Sequence, residues 1–352
     1  IDFIRRTGRF EFKGQLRPFT ENAIQNAVQT LRAFRATGAM QQNEQAYDLL
    51  CLGTSVPQTI EGDTKSFMVN YIDWRNPEEN TYHCTAELKV ERIGQQKHYI
   101  PDIVLFVNGI PLVVMECKRS AYLDTHKEPI DLAIQDLADY QAKEGIPQLF
   151  LYSQLLLGLA RDKAEYGTTG TPRKFWTVWK EPNLDQQIRE LLTRPMPETS
   201  RELLTGPFAD AADAFRDILA QGRAVYEQDR LLFALCRPER LLELVYKFIL
   251  FDNGEKKIAR YQQFFTVQDI LKRVAGTPDA GTGAQAGDPR PGGVVWHTQG
   301  SGKSLTMVML AKCLYLESLR DPSMLNPKVI LVTDRIDLDD QIEGTLSACG
   351  LD

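Results

Sequence analysis

Two groups of residues in this 352-residue sequence have the types and spacing for chemistry on phosphate. The first begins at Pro101-Asp102; fourteen residues after Asp102, the run Leu112-Val113-Val114-Met115 ends in Glu116-Cys117-Lys118. Alternation along a strand turns Glu116 and Lys118 to one face and Cys117 to the other. Asp102 and Glu116 would then hold Mg2+, and Lys118 would orient the attacking water or stabilise negative charge developing on a phosphate. The second group is His297-Thr298-Gln299-Gly300-Ser301-Gly302-Lys303-Ser304. Gly300 and Gly302 let backbone N–H groups of the Gly300–Ser304 loop turn inward on a phosphate at a helix N-terminus. Lys303 would reach the β and γ phosphates of ATP, and Ser304 would ligate magnesium.

Both groups depend on the elements that carry them. The Glu-x-Lys spacing also occurs at Glu87-Leu88-Lys89 and Glu255-Lys256-Lys257, and Asp73 precedes Glu87 by the same interval as Asp102 precedes Glu116. Only Glu116 ends a continuous apolar run, as expected for a buried central strand, and only its partner follows a proline. A surface ion pair at a strand end is the alternative reading. Register tests it. A regular two-residue turn at Asn108-Gly109 would pair Asp102 with Met115 and put Asp102 on the wrong face. An odd loop, or an equivalent bulge, pairs Asp102 with Glu116, and that is the expectation.

The wider pattern is α/β. A helix is expected over 20–35, with Thr20 as N-cap and Ile24, Ala27, Val28, Leu31 and Phe34 inward. Strands are expected over 67–71, 82–90, 103–107, 112–115, 149–157 and 175–179, and a helix over 131–142. Residues 186–255 read as a helical connector, and 276–292 as a mobile glycine- and proline-rich loop. Val294-Val295-Trp296 leads as a strand into the glycine loop, a helix follows it, and Val329-Ile330-Leu331-Val332 reads as a second strand. The domains expected are 1–185, 186–255 and 256–352.

Composition excludes less. Lys and Arg number 41 against 47 Asp and Glu, a net charge of −6, which argues against a general positive coat but leaves room for a local basic groove. Arg5, Arg6, Arg9, Arg17, Arg32 and Arg35 either face phosphate or form a solvated face. The longest apolar stretch, 103–115, is broken by Asn108 and Gly109 and is too short for a membrane span. The six cysteines form no CxxC and the four histidines have no ligand spacing, so no zinc site is expected, and the reading is cytoplasmic. The chain starts at Ile1 without a signal-peptide pattern and reads as a fragment.

The first group fits the PD-(D/E)xK nuclease pattern, and the glycine loop resembles the relaxed form in superfamily 2 helicases. Thr333-Asp334-Arg335 resembles the helicase motif that touches nucleic acid, and Arg260-Tyr261-Gln262-Gln263 the adenine-reading glutamine motif, with Gln263 as the reader and an ordinary surface glutamine as the alternative. Some nucleases of this class carry Gln-x-x-x-Tyr on the following helix, to contact DNA or brace the lysine. Gln135 and Tyr140 are the candidates here, one residue further apart than that motif, and a core tyrosine is the alternative.

With Leu49-Leu50-Cys51-Leu52-Gly53, Ile72-Asp73-Trp74, the 101–112 run and Ala259-Arg260-Tyr261-Gln262-Gln263-Phe264, the order of pieces resembles the N-terminal part of the restriction (R, HsdR) subunit of type I restriction-modification enzymes. The resemblance implies a PD-(D/E)xK domain, a helical connector and the start of a RecA-like motor domain. It implies an ATP-dependent deoxyribonuclease that pumps double-stranded DNA beside methyltransferase (M) and specificity (S) subunits. A second acidic motif and an arginine finger are missing, since Asp337–Asp340 lies too soon after the second strand, so ATP turnover by this chain alone is not expected. A RecB-like repair nuclease-helicase and a non-enzymatic assembly fragment are the rival readings.

Overall fold

The computed structural model describes residues 1–34, 38–119, 127–195, 197–205, 223–275, 292–319, 328–332 and 342–347. The chain opens with α1 (Asp2–Thr7), the hairpin β1 (Arg9–Phe12) and β2 (Gln15–Pro18), then α2 (Glu21–Arg32) and α3 (Ala39–Leu52). Thr20 caps α2, its Oγ1 accepting from the Ala23 N–H at 3.3 Å, and Ala23, Ile24 and Ala27 form its buried stripe. A second hairpin follows, β3 (Thr54–Ile60) and β4 (Asp63–Val69), then β5 (Tyr82–Ala86), β6 (Val90–Glu91) and β7 (His98–Tyr99). Next come β8 (Ile103–Val107), β9 (Ile110–Cys117), α4 (Pro129–Gln141), α5 (Pro147–Phe150), β10 (Leu155–Ala160) and β11 (Lys163–Gly167).

Among the described residues the central sheet has the order β11-β10-β9-β8-β5, with β9 and β10 parallel and the other pairs antiparallel. Its middle strands are apolar on both faces because both faces are covered. Val104, Val114 and Leu156 face a cluster with Ile130, Ile134 and Leu137 of α4, while Val113, Met115 and Leu157 join the larger core. That core runs on through α8 (Glu227–Cys236), α9 (Pro238–Lys247) and β12 (Ile249–Asp252), which pairs with β13 (Glu255–Ile258), to α10 (Tyr261–Val274) and α11 (Lys303–Ser318). Before α8 lie α6 (Leu184–Thr193) and α7 (Glu198–Thr205).

The structure departs from the expected elements in five places. The run 82–90 is not one strand: β5 ends at Ala86, Glu87 turns at φ of 51°, and Val90 belongs to the separate β6–β7 pair. The run 149–157 is not one strand: α5 and a turn precede β10, and the Asn43 side-chain amide donates to the carbonyls of Phe150, Leu151 and Ser153 at 2.9, 3.1 and 3.2 Å. Those carbonyls serve a side chain instead of a ladder. Residues 175–179 form only a single bridge, Tyr166 to Thr177. The connector ends in the β12–β13 hairpin, turned at Asn253-Gly254 with φ of 52° and 77°, a two-residue turn that its Asn-Gly pair favours. Residues 294–296 and 329–332 are not strands; Val294 and Trp296 are 92% and 89% exposed. A strand needs a neighbour for its N–H and C=O groups, and among the described residues none pairs with these segments. The loop 276–291, residues 333–335 and residues 337–340 lie outside the described residues.

Three of the six basic N-terminal residues are ion-paired among the described residues, and Arg35 lies outside them. Arg5 meets Glu21 at 2.7 Å, and Arg6 meets Glu79 and Arg17 meets Glu61 at 3.0 Å each. Among the described residues, no helix is long and apolar enough to cross a membrane.

Candidate active site and nucleotide loop

The β8–β9 connection decides where Asp102 points. Asn108 and Gly109, at φ of 53° and 81°, make a tight two-residue turn in which Val107 pairs with Ile110. Taken alone, that turn gives the wrong parity. Two pairs later the ladder slips: Phe106 pairs with Pro111 but Leu105 with Val113, so Leu112 is a bulge. Ile103 therefore pairs with Met115, and Asp102 is next in register to Glu116. The Asp102 carboxylate accepts the Cys117 N–H at 2.6 Å, which fixes it at the end of β9.

Glu116 is 3% exposed. Its carboxylate accepts from the Lys118 ammonium at 2.7 Å and from the Tyr140 hydroxyl at 3.2 Å. Lys118 also meets Asp136 at 2.5 Å. Asp136 and Tyr140 stand four residues apart, on one face of α4. Gly158 of β10, in register with Glu116, lets that face come close, since a Cβ there would lie 3.0 Å from Ile134 Cγ1.

Asp102, Glu116, Lys118 and Tyr140 are thus brought together. Gln135 is not: its amide donates to Asp139 at 2.8 Å on the exposed side of α4. Asp136 was missed, although Asp136-x-x-x-Tyr140 has the spacing at which a glutamine was sought. The other Glu-x-Lys sequences lead elsewhere. Glu87 and Lys89 are exposed, and Lys257 pairs with Asp252 of its own hairpin.

Burial, helped by the nearby Asp102 charge, pushes the Glu116 carboxyl up to about 7 despite its bond to Lys118. Burial alone would lower the Lys118 ammonium, but hydrogen bonds to Asp136 and Glu116 outweigh it, and its pKa lies above the ordinary lysine value. The oxygen donors of Asp102 and Glu116 suit a hard divalent cation, which would also relieve the charge crowding that raises Glu116. No group of three His, Cys, Asp or Glu side chains converges there among the described residues, so water and substrate oxygens would complete such a shell.

At the glycine loop, Gly300 and Gly302 have φ of 74° and 82°, and Gly302 caps α11. Lys303 folds back, its ammonium donating to the carbonyls of His297 and Thr298 at 2.8 and 3.0 Å. Ser301 Oγ is buried without a hydrogen-bond partner, an orphan that a ligand in the loop would satisfy. Ser304, half-buried, lies in the first turn of α11. Gln263 is buried on α10; its side chain accepts from the Arg260 N–H at 2.8 Å and donates to the Gly302 carbonyl at 3.1 Å. Beside it lies a cavity of about 370 Å³, walled by Tyr166, Phe175, Ile258 and Arg260 among others. Tyr166 and Phe175, from the N-terminal part, carried no sequence signal for this role.

Residues 8–175 match the family model described as the type I restriction enzyme R protein N terminus, and residues 262–352 match the SWI2/SNF2 ATPase model. The chain is 30% identical over 335 residues to the type I restriction enzyme HindI endonuclease subunit of Haemophilus influenzae, covering 93% of this chain and 27% of that protein. It is 27% identical over 304 residues to the putative type I restriction enzyme MjaIXP endonuclease subunit of Methanocaldococcus jannaschii, covering 86% and 26%. A type I restriction endonuclease subunit of Staphylococcus aureus (strain COL) is 22% identical over 283 residues, covering 80% and 24%. The chain spans about a quarter of the length of these relatives. Its residues 8–175 belong to the N-terminal region of type I restriction enzyme R proteins, and they lead into sequence of the SWI2/SNF2 ATPase kind.

Proposed function

We propose that this chain is the nuclease-bearing part of the restriction subunit of a type I enzyme, with a PD-(D/E)xK site at Asp102, Glu116 and Lys118. The observation that carries the reading is the Leu112 bulge, which turns Asp102 to the face of Glu116 and Lys118. Asp102 and Glu116 would hold Mg2+, which when bound supplies an activated water and charge neutralisation at phosphate. Lys118 stays protonated at neutral pH, so it acts by stabilising negative charge on the scissile phosphate and not by taking a proton from water. Asp136 keeps that ammonium in place when Glu116 is engaged elsewhere, and Tyr140 orients Glu116.

ATP would sit on Gly300–Ser304, with Ser304 toward its magnesium ion and Gln263 by the base, for which the cavity under Tyr166 and Phe175 has room. The first RecA-like domain, DNA translocation, the methyltransferase and specificity partners and action in the cytoplasm all belong to this reading. Steady ATP hydrolysis by the purified 352-residue chain would count against its reliance on further motor elements.

The test is cleavage of circular DNA bearing one unmethylated site by the full-length protein with its partner subunits, ATP and Mg2+. Lys118→Ala is expected to lose cutting by at least ~100-fold while ATP turnover is unchanged. Equal cutting by the variant would overturn the assignment, and cutting without partners regardless of methylation would favour a repair nuclease.

A further inference from the structure

Asp102 is continuous with a feature that the site chemistry leaves unused. Strands β6 and β7 form a narrow ribbon over residues 90–99. Its base is fastened to the site: the Glu87 N–H donates to the Asp102 carbonyl at 2.8 Å and the Leu88 N–H to the Pro101 carbonyl at 3.2 Å. Its flank is fastened to the segment after α4, where Arg92 Nε donates to the Glu144 carbonyl at 2.8 Å, the Ile93 N–H to the Gly145 carbonyl at 3.2 Å, and Gln148 to the Glu91 carbonyl at 2.7 Å. The Arg92 guanidinium covers the Tyr99 ring at 4.6 Å, and Tyr99 packs on Tyr140 at 4.9 Å, the ring that holds Glu116. A two-stranded ribbon is marginal alone, and these braces make it a fixed projection beside the carboxylates.

What it projects is unpartnered. Ile93 is 53% exposed and Ile100 42%. Lys89, Gln95, Gln96, Lys97 and His98 are exposed and make no side-chain hydrogen bond or ion pair among the described residues. Across 87–98 the bases Lys89, Arg92, Lys97 and His98 stand against the acids Glu87 and Glu91, a local balance opposite in sign to that of the whole chain. Cations flanking a tip of amides and one aliphatic side chain suit a groove, where phosphates line the rims and base edges the floor.

We infer that the 90–99 ribbon enters the major groove of the duplex being cut, with Lys89 and Lys97 on flanking phosphates and the Ile93–Gln96 tip in the groove. The major groove is wide enough for a two-stranded β-ribbon. The ribbon seats the DNA against Asp102 and Glu116 whatever sequence lies there, so the inference rests on the nuclease reading above.

Two variants of the full-length protein test it, with partner subunits and the circular substrate. In one, residues 93–96 are replaced by Asn-Gly, which keeps Arg92 opposite Lys97 and removes the tip. The other is Lys89→Ala with Lys97→Ala, at exposed positions. The expected result is that both cut at least ~10-fold more slowly with ATP turnover unchanged, and that the lysine variant lowers the salt-dependence exponent of cutting by about 2, roughly one per phosphate contact. Wild-type rate and salt dependence in the lysine variant overturn the inference, whether or not the shortened ribbon is impaired, because impairment of that variant alone would reflect lost bracing of Tyr140. Lys118→Ala runs beside them: if it cuts normally, the nuclease reading fails, and if it is dead while both ribbon variants cut normally, only the ribbon inference fails.

Discussion

Burying Glu116 comes at the expense of the fold. Its carboxyl moves from an ordinary 4.5 to about 7, so the folded protein holds a proton there that the unfolded chain has already released. The sign follows: stability is unaffected below about pH 4.5, falls as pH rises through the interval to about 7, and stays lowered above it by about 3 kcal/mol. In metal-free protein, Glu116→Gln is therefore expected to raise stability at pH 8 by about 1–2 kcal/mol, less than the full amount because the bond from Lys118 weakens. Denaturant unfolding at pH 5 and pH 8 checks this; a pH-independent difference between the two proteins contradicts it. The same substitution should abolish cutting. That Asp102, Glu116 and Lys118 share one face was legible in sequence because strand alternation ties spacing to facing. Asp136 was not, because its role depends on a helix reaching across the sheet to Lys118, and sequence spacing within the helix does not say what lies opposite.

Helix α4 reaches that far because Gly158 has no side chain. Gly158→Ala would place a Cβ 3.0 Å from Ile134 Cγ1 and 3.3 Å from Ile130 Cδ1, so α4 must shift outward and carry Asp136 and Tyr140 away from Lys118 and Glu116. A cost of about 1–3 kcal/mol is expected from overpacking, with slower cutting. Ile134→Val in the same protein should restore much of both, which thermal unfolding and the circular-DNA assay can follow. Loss of activity without rescue would place the effect elsewhere. Strands β8 and β9 were legible from their apolar runs, and the need for a bulge followed from parity, though its place at Leu112 did not. The small hairpins escaped because short strands carry little periodicity. Residues 149–157 misled because an apolar run reads alike in a strand and in a buried helix-turn segment, and the Asn43 contacts that decide between them come from 107–110 residues away.

At the scale of the molecule, two lysines, Lys256 buried and Lys312 half-buried, join parts that are far apart in sequence. Lys256 of β13 donates to Asn43 of α3 at 2.8 Å, to the Ser153 carbonyl at 3.2 Å and to Gln154 at 2.5 Å. Burial with only neutral acceptors drives its pKa well below the lysine value. Between that low value and the ordinary 10.5 the unfolded chain binds the extra proton, so this group makes the fold more stable as pH rises. Against Lys256→Met, which cannot titrate, the wild type should gain stability as pH rises toward the ordinary lysine value, measured by denaturant unfolding from neutral to alkaline pH. A constant difference would show Lys256 to be charged throughout. Lys312 of α11 donates to the Tyr47 hydroxyl of α3 at 2.8 Å and to the Ile249 carbonyl at 2.9 Å, so the helix that begins at the glycine loop is tied to the same α3. Such a shared helix limits how the gene can recombine. A chimera that joins this N-terminal region to foreign ATPase sequence anywhere between residues 53 and 255 would separate Asn43 and Tyr47 from Lys256 and Lys312, leaving the Asn43 amide oxygen and the Tyr47 hydroxyl oxygen without their lysine donors. Exchange between lineages should succeed only where all four residues travel together.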